Sequence, residues 1–148
     1  MRFVIQRVTS AKVDIGGKTK GSIGKGLMVL IGIGKGDDEA IADKLISKMI
    51  GLRIFADSEG KTNLDLSQVG GGLLLVSQFT LYADCKKGHR PGFTDACDPQ
   101  RAEELYGYIV RKCSESVNEV GCGEFGADMQ VSLTNDGPFT IILDSDRL

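Results

Sequence analysis

At 148 residues, with 41% apolar and 26% charged side chains, the chain has the make-up of an ordinary globule with one hydrophobic core. A formal charge of −2 excludes a globally basic nucleic-acid binder, so any contact with a polyanion must come from a local patch. There is no apolar run near the about 18 residues of a transmembrane helix and no signal-peptide h-region, and the single histidine, His89, excludes a multi-histidine metal site within one chain. Cys85, Cys97, Cys113 and Cys122 form no C-x-x-C pair, which points to free thiols in a reducing cytosol.

In chain order, the alternating N-terminus predicts strands near 2–8 and 11–16, a turn at Gly16-Gly17 and a short strand at 18–23. An apolar strand follows at 27–33, "LMVLIGI". From 38 to 50 the period changes: Ile41, Leu45 and Met49, with Ala42, Ile46 and Ile50, fall four apart and predict a helix, with Asp38 as N-cap and Gly51 as its stop. "LRIF" (52–55) reads as a short strand and 57–71 as a polar loop. "LLLVSQFTL" (73–81) reads as a buried strand, apolar on both faces. After the loop "YADCKKGHRPGFTDACD", Asp98-Pro99 opens a second helix, with proline at the tolerated first position. A Gly-rich connection (121–126) leads to a closing strand pair, 127–134 and 138–144. This is one α/β domain with strands outnumbering helices, two sheet layers flanked by two helices.

Several candidate sites fail on spacing. "GIGKGDDEA" (32–40) lies between a strand and a helix but reads G-x-G-x-G, and Asp37-Asp38 place carboxylates where a pyrophosphate would sit. Capping is the better reading. The two "GKT" fragments lack the P-loop's first glycine, since Lys12 and Phe55 stand there. A triad of Ser77, His89 and Asp84 or Asp95 would depend on one histidine in a basic loop, with no nucleophile elbow around Ser77. "CKKGHRPGF" (85–93) is the one concentrated cationic stretch, either a solvated loop or a phosphate contact through Lys86, Lys87 and Arg90. Within "VSQFTL" (76–81), Ser77, Gln78 and Thr80 are polar groups inside an apolar run, which either satisfy a strand end or face a ligand cavity. Phe79 adds a face on which a base could stack. "VSLTNDGPFTIIL" (131–143) is strand-like but interrupted at Asn135-Asp136-Gly137-Pro138, where proline removes a ladder donor.

"SQFTL" at 77–81 and "NDGPFT" at 135–140 together resemble the two signature motifs of the D-aminoacyl-tRNA deacylases, first named for D-tyrosyl-tRNA. "MRFVIQRV", "GLMVLIGI", "LRIFAD", "GKTN", "KGHRPGF" and "FGADMQVSL" follow the same family's order over essentially the whole chain. The pattern is departed from at Phe139, where valine usually follows Gly-Pro, and at Thr62 and Gly92, where methionine and serine are commoner.

The resemblance implies a single deacylase domain over residues 1–148, a layered β/β/α fold with two sheets and two main helices. It implies a cytoplasmic editing hydrolase that cleaves the ester between a D-amino acid, or glycine mischarged on tRNA(Ala), and the 3′-terminal adenosine of tRNA. Gly137-Pro138 would be a cis unit projecting from one subunit of a homodimer into its partner's active site, where fixed carbonyls exclude an L side chain. Arg7 would brace that unit. Ser77, Gln78 and Phe79 would line the adenosine pocket, with Thr80 beside the scissile ester and Met129 near it. Backbone groups and the substrate's own 2′-hydroxyl would activate water, Thr80 being the alternative nucleophile or oxyanion donor. No metal or organic cofactor and no membrane partner is implied. Two rival readings compete with this one: a non-catalytic nucleic-acid-binding module using the basic loop and Phe79, and a Ser77/His89 hydrolase of small esters.

Overall fold

The computed structural model describes residues 1–148, and in it one long strand organises everything else. β1 (Arg2–Ile15) runs antiparallel along β8 (Gln130–Asp144) on one edge. On its other edge it pairs first with β3 (Gly26–Gly32) and then with β2 (Lys18–Ile23). β3 continues in parallel to β6 (Gly72–Ser77), and β6 to β7 (Val120–Cys122), giving a six-stranded sheet. A separate two-stranded ribbon joins β4 (Phe55–Ala56) to β5 (Thr62–Leu64). The two helices are α1 (Glu39–Ile50) and α2 (Pro99–Ser116). No helix is long and apolar enough to cross a membrane.

The helices form where local chemistry dictates. Asp38 accepts from the Ile41 N–H at 2.8 Å, and Asp98 from Gln100 N–H at 3.0 Å, each satisfying a donor the first turn leaves free. The α1 stripe Ala42, Leu45, Ile46 and Met49 and the α2 stripe Ala102, Leu105, Tyr106, Ile109 and Cys113 are buried. Both pack on one face of the sheet against Phe3, Ile5, Leu27, Val29, Leu73 and Leu75. A smaller cluster, including Val8, Ala11, Val13, Met28, Leu74 and Val76, fills the other face. β1 serves both clusters: Phe3 and Ile5 face the helices, whereas Val8, Ala11 and Val13 face away. Ile5 and Val8 alternate as a strand should, but Val8 and Ala11, three apart, share a face, so the alternation breaks at Thr9-Ser10, where the register with β8 shifts a second time.

Several expected boundaries move. The strands predicted at 2–8 and 11–16 are one strand, because β8 pairs with it throughout. The closing pair predicted at 127–134 and 138–144 is also one strand, not a hairpin. Both of its halves pair with β1, and the turn-like residues are extruded as a bulge opposite Arg7, where the register shifts between Gln6 and Val8. "LRIF" contributes only Phe55 to a strand, the predicted polar loop contains β5, and the Gly-rich connection begins as β7. Finally, β6 stops at Ser77, and Phe79–Tyr82 is a 3₁₀ turn.

Candidate active site

The end of β6 determines the site. Gln78 N–H still donates to the Ile31 carbonyl at 2.7 Å, and the chain then leaves the sheet and coils over the end of β3. Two glycines make that turn possible by close approach. A Cβ at Gly32 would lie 2.9 Å from Leu81 Cβ, and one at Gly34 would lie 2.5 Å from the Tyr82 ring. The glycine loop is thus a seat for the 3₁₀ turn, and its aspartates cap backbone donors: Asp37 accepts from Gly34 N–H at 2.6 Å. Ser77, Gln78 and Thr80 are not polar residues interred in a strand. They sit at its end and on the turn, where half-burial or exposure leaves them free to meet a ligand.

Ser77, Gln78 and Phe79 form a ridge shared by two cavities. The larger, about 650 Å³, is walled by Ile31, Ile33, Phe93, Cys97, Ala102 and Phe125. The smaller, about 360 Å³, runs from the same ridge to Phe125, Met129 and Val131. Phe79 is 56% exposed, unusual for so large an apolar ring, and meets Phe93 edge-on with centroids 4.9 Å apart. Gln78 Nε2 donates to Thr80 Oγ1 at 2.5 Å, orienting the hydroxyl. Met129 lines the smaller cavity, and Thr80 lines neither. Phe93 and Phe125, which the sequence reading did not single out, are brought to the site by two separate loops.

The groups needed for protein-based acid, base or nucleophilic chemistry are not assembled here. His89 is exposed at the tip of the Asp84–Gly92 loop and lines neither cavity beside Ser77, so the triad does not form. That loop is closed by paired backbone bonds of 2.7 and 2.9 Å between Asp84 and Gly92, which hold the histidine outward. Lys86, Lys87 and Arg90 are exposed on the same loop, and Lys86 borders a separate polar cavity with Arg2, Lys35 and Tyr82. Cys97 is the one thiol in the larger cavity, and burial pushes its pKa up, keeping it protonated and a poor nucleophile. The four cysteines are unpaired. No three His, Cys, Asp or Glu side chains converge at metal-binding range.

The bulge on β8 is held from three directions. Arg7 Nε donates to the Asp136 carbonyl at 2.9 Å and lies 3.3 Å from its carboxylate, while Nη1 donates to the Ile54 carbonyl at 2.6 Å. Asn135 closes the base of the bulge. Its Oδ1 accepts from Phe139 N–H at 3.0 Å, and its Nδ2 donates to the carbonyls of Phe139 at 3.0 Å and Arg7 at 2.9 Å. The Gly137-Pro138 bond is cis, both residues are exposed, and neither lines a cavity beside Ser77 in its own chain.

A family model described as D-Tyr-tRNA(Tyr) deacylase matches residues 4–144. A D-aminoacyl-tRNA deacylase of Thermosipho melanesiensis is 52% identical, over 100% of this chain and 99% of its own length. One from Histophilus somni is 55% identical, over 97% and 99%. A solved structure described as a c-Myc DNA Unwinding Element Binding Protein is 37% identical, with a TM-score of 0.92, covering 97% of this chain and 98% of its own. A probable eukaryotic D-amino acid tRNA deacylase shares the fold with a TM-score of 0.76 at 17% identity, over 96% and 97%.

Proposed function

The chain belongs to the D-Tyr-tRNA(Tyr) deacylase family, ester hydrolases of D-aminoacyl-tRNA, and from that premise we propose how its site works and what it rejects. One deacylase domain spans residues 1–148. The 3′-terminal adenosine enters the larger cavity, where the exposed ring of Phe79, steadied by Phe93, offers a stacking face and the apolar walls exclude water. Ser77 and Gln78 supply hydrogen bonds at the rim. Thr80, held by Gln78, stands beside the scissile ester, and Met129 borders the aminoacyl moiety from the smaller cavity. Lys86, Lys87 and Arg90 contact phosphates farther along the acceptor strand.

The observation that carries this reading is the Ser77–Phe79 ridge between two cavities with no histidine or activated thiol beside it and one aspartate in each, Asp98 and Asp128. An aminoacyl ester is already activated, so placement and stabilisation of the developing oxyanion suffice if the substrate's 2′-hydroxyl orients water. Backbone N–H groups opening the 3₁₀ turn are free by construction to serve that oxyanion. Stereochemistry is decided by exclusion. In a homodimer, the exposed Gly137-Pro138 bulge enters the partner's site, and its carbonyls occupy the volume an L side chain requires. A D side chain is directed elsewhere, and glycine has none to exclude, so glycine mischarged on tRNA(Ala) is also accepted. The reaction runs without a metal or organic cofactor, and the compartment of tRNA editing is the cytoplasm.

The purified protein is expected to release D-tyrosine from D-Tyr-tRNA. Phe79→Ala raises KM for that substrate about tenfold, the order of one lost base–aromatic stack, with a smaller change in kcat. An unchanged KM would remove Phe79 from adenosine binding. The solved structure described as a DNA Unwinding Element Binding Protein supports a second reading, nucleic-acid binding without catalysis. Tight tRNA binding with no release of amino acid would favour it.

A further inference from the structure

We propose that Phe139 is a positioning residue for stereoselectivity: its ring is the platform that fixes Arg7 and, through Arg7, the reach of the Gly137-Pro138 bulge. The inference rests on the reading of that bulge as the stereochemical gate. The Arg7 guanidinium lies over the Phe139 ring, 4.4 Å from its centroid. Two of its N–H groups are committed to the carbonyls of Asp136 and Ile54, which fixes the guanidinium edge but leaves its face to be supported. A desolvated aromatic face supplies that support as a cation–π contact.

Phe139 is also where the bulge is clamped at its far end. Its N–H and carbonyl both bond to the Asn135 side chain, which bonds in turn to the Arg7 carbonyl. Only Asp136, Gly137 and Pro138 lie between the two clamped residues. Arg7 and Phe139 are thus linked twice, by the Asn135 amide through their backbones and by guanidinium-on-ring packing through their side chains. An aliphatic residue here leaves the amide clamp and removes the platform. Neither Phe139 nor Arg7 lines the cavities beside Ser77, so an effect on which enantiomer is hydrolysed must pass through the bulge.

The test compares Phe139→Leu and Phe139→Tyr in the full chain, with Gly137→Ala as the reference that moves the bulge itself. The readouts are the ratio of D-Tyr-tRNA to L-Tyr-tRNA hydrolysis and the Arg7 Hε resonance, which the ring current displaces. Phe139→Leu is expected to lower the ratio about fivefold, the order of one cation–π contact, and to return the Hε resonance toward its ordinary position. Phe139→Tyr is expected to keep both. If Gly137→Ala lowers the ratio and Phe139→Leu leaves it at the wild-type value, the role of Phe139 is overturned while the gate stands. A ratio indifferent to Gly137→Ala overturns the gate, and with it the inference.

Discussion

D-Tyr-tRNA whose terminal adenosine lacks the 2′-hydroxyl is expected to be hydrolysed about 10³-fold more slowly than the ribose substrate, the order of a lost general acid–base contribution. Thr80→Ala, by contrast, retains activity within about tenfold of wild type, since one hydrogen bond to an ester or oxyanion is the most its hydroxyl supplies. The structural reason is what surrounds Thr80. Its hydroxyl already accepts from Gln78 Nε2, no histidine lines either cavity, and Thr80 hydrogen-bonds to neither Asp98 in the larger cavity nor Asp128 in the smaller. Asp98 does border the larger cavity, but its carboxylate is occupied capping α2. Single-turnover rates on matched ribose and 2′-deoxy substrates check the first half, and rates of Thr80→Ala the second. Full activity without the 2′-hydroxyl, together with an inactive Thr80→Ala, would return the chemistry to the protein.

Gly137→Ala is the second large effect. A Cβ there would lie 2.0 Å from Phe139 N and 2.9 Å from Asn135 Oδ1. The methyl group therefore drives directly into the Phe139 N–H···Asn135 bond that closes the bulge, and the bulge must reopen to admit it. The stability cost is on the order of 1–3 kcal/mol, the range for overpacking a tight site, and chemical denaturation measures it. The effect on selectivity is expected to be larger: hydrolysis of L-Tyr-tRNA rises relative to D-Tyr-tRNA by about 10²-fold, the order of ~3 kcal/mol of lost steric exclusion. A variant that folds and keeps wild-type selectivity would contradict the assignment of the bulge as the excluding element.

The helices were legible in the sequence because their signals are local. Asp38, Gly51, Asp98 and Pro99 mark ends, and four-residue spacing marks the buried stripes. The end of β6 was not legible. Residues 73–81 are uniformly strand-forming, and what stops the strand is the missing Cβ of Gly32 and Gly34 on its neighbour, which admits Leu81 and Tyr82. The β8 bulge misled for the converse reason. Asn-Asp-Gly-Pro is a strong local turn signal, but both flanks pair with the same partner strand, a long-range fact. One trace of it was visible: the alternation of β1 fails between Val8 and Ala11, three apart yet on one face, immediately beyond the stretch that faces the bulge. The motif residues Ser77, Gln78, Phe79 and Met129 do converge, and Arg7 does hold the bulge through a carbonyl. Phe93 and Phe125 complete the cavity from loops remote in sequence, and no periodicity carries that information.

Family membership makes the chain a D-aminoacyl-tRNA deacylase, and the site's geometry supports the stronger claim that it works by excluding one enantiomer. The most direct test is hydrolysis of D-Tyr-tRNA, L-Tyr-tRNA and Gly-tRNA by the purified protein under identical single-turnover conditions. The account predicts that the D and glycyl esters are cleaved at comparable rates, with the L ester slower by about 10²-fold or more, the order of a steric exclusion of ~3 kcal/mol. Equal rates on the two enantiomers would contradict it.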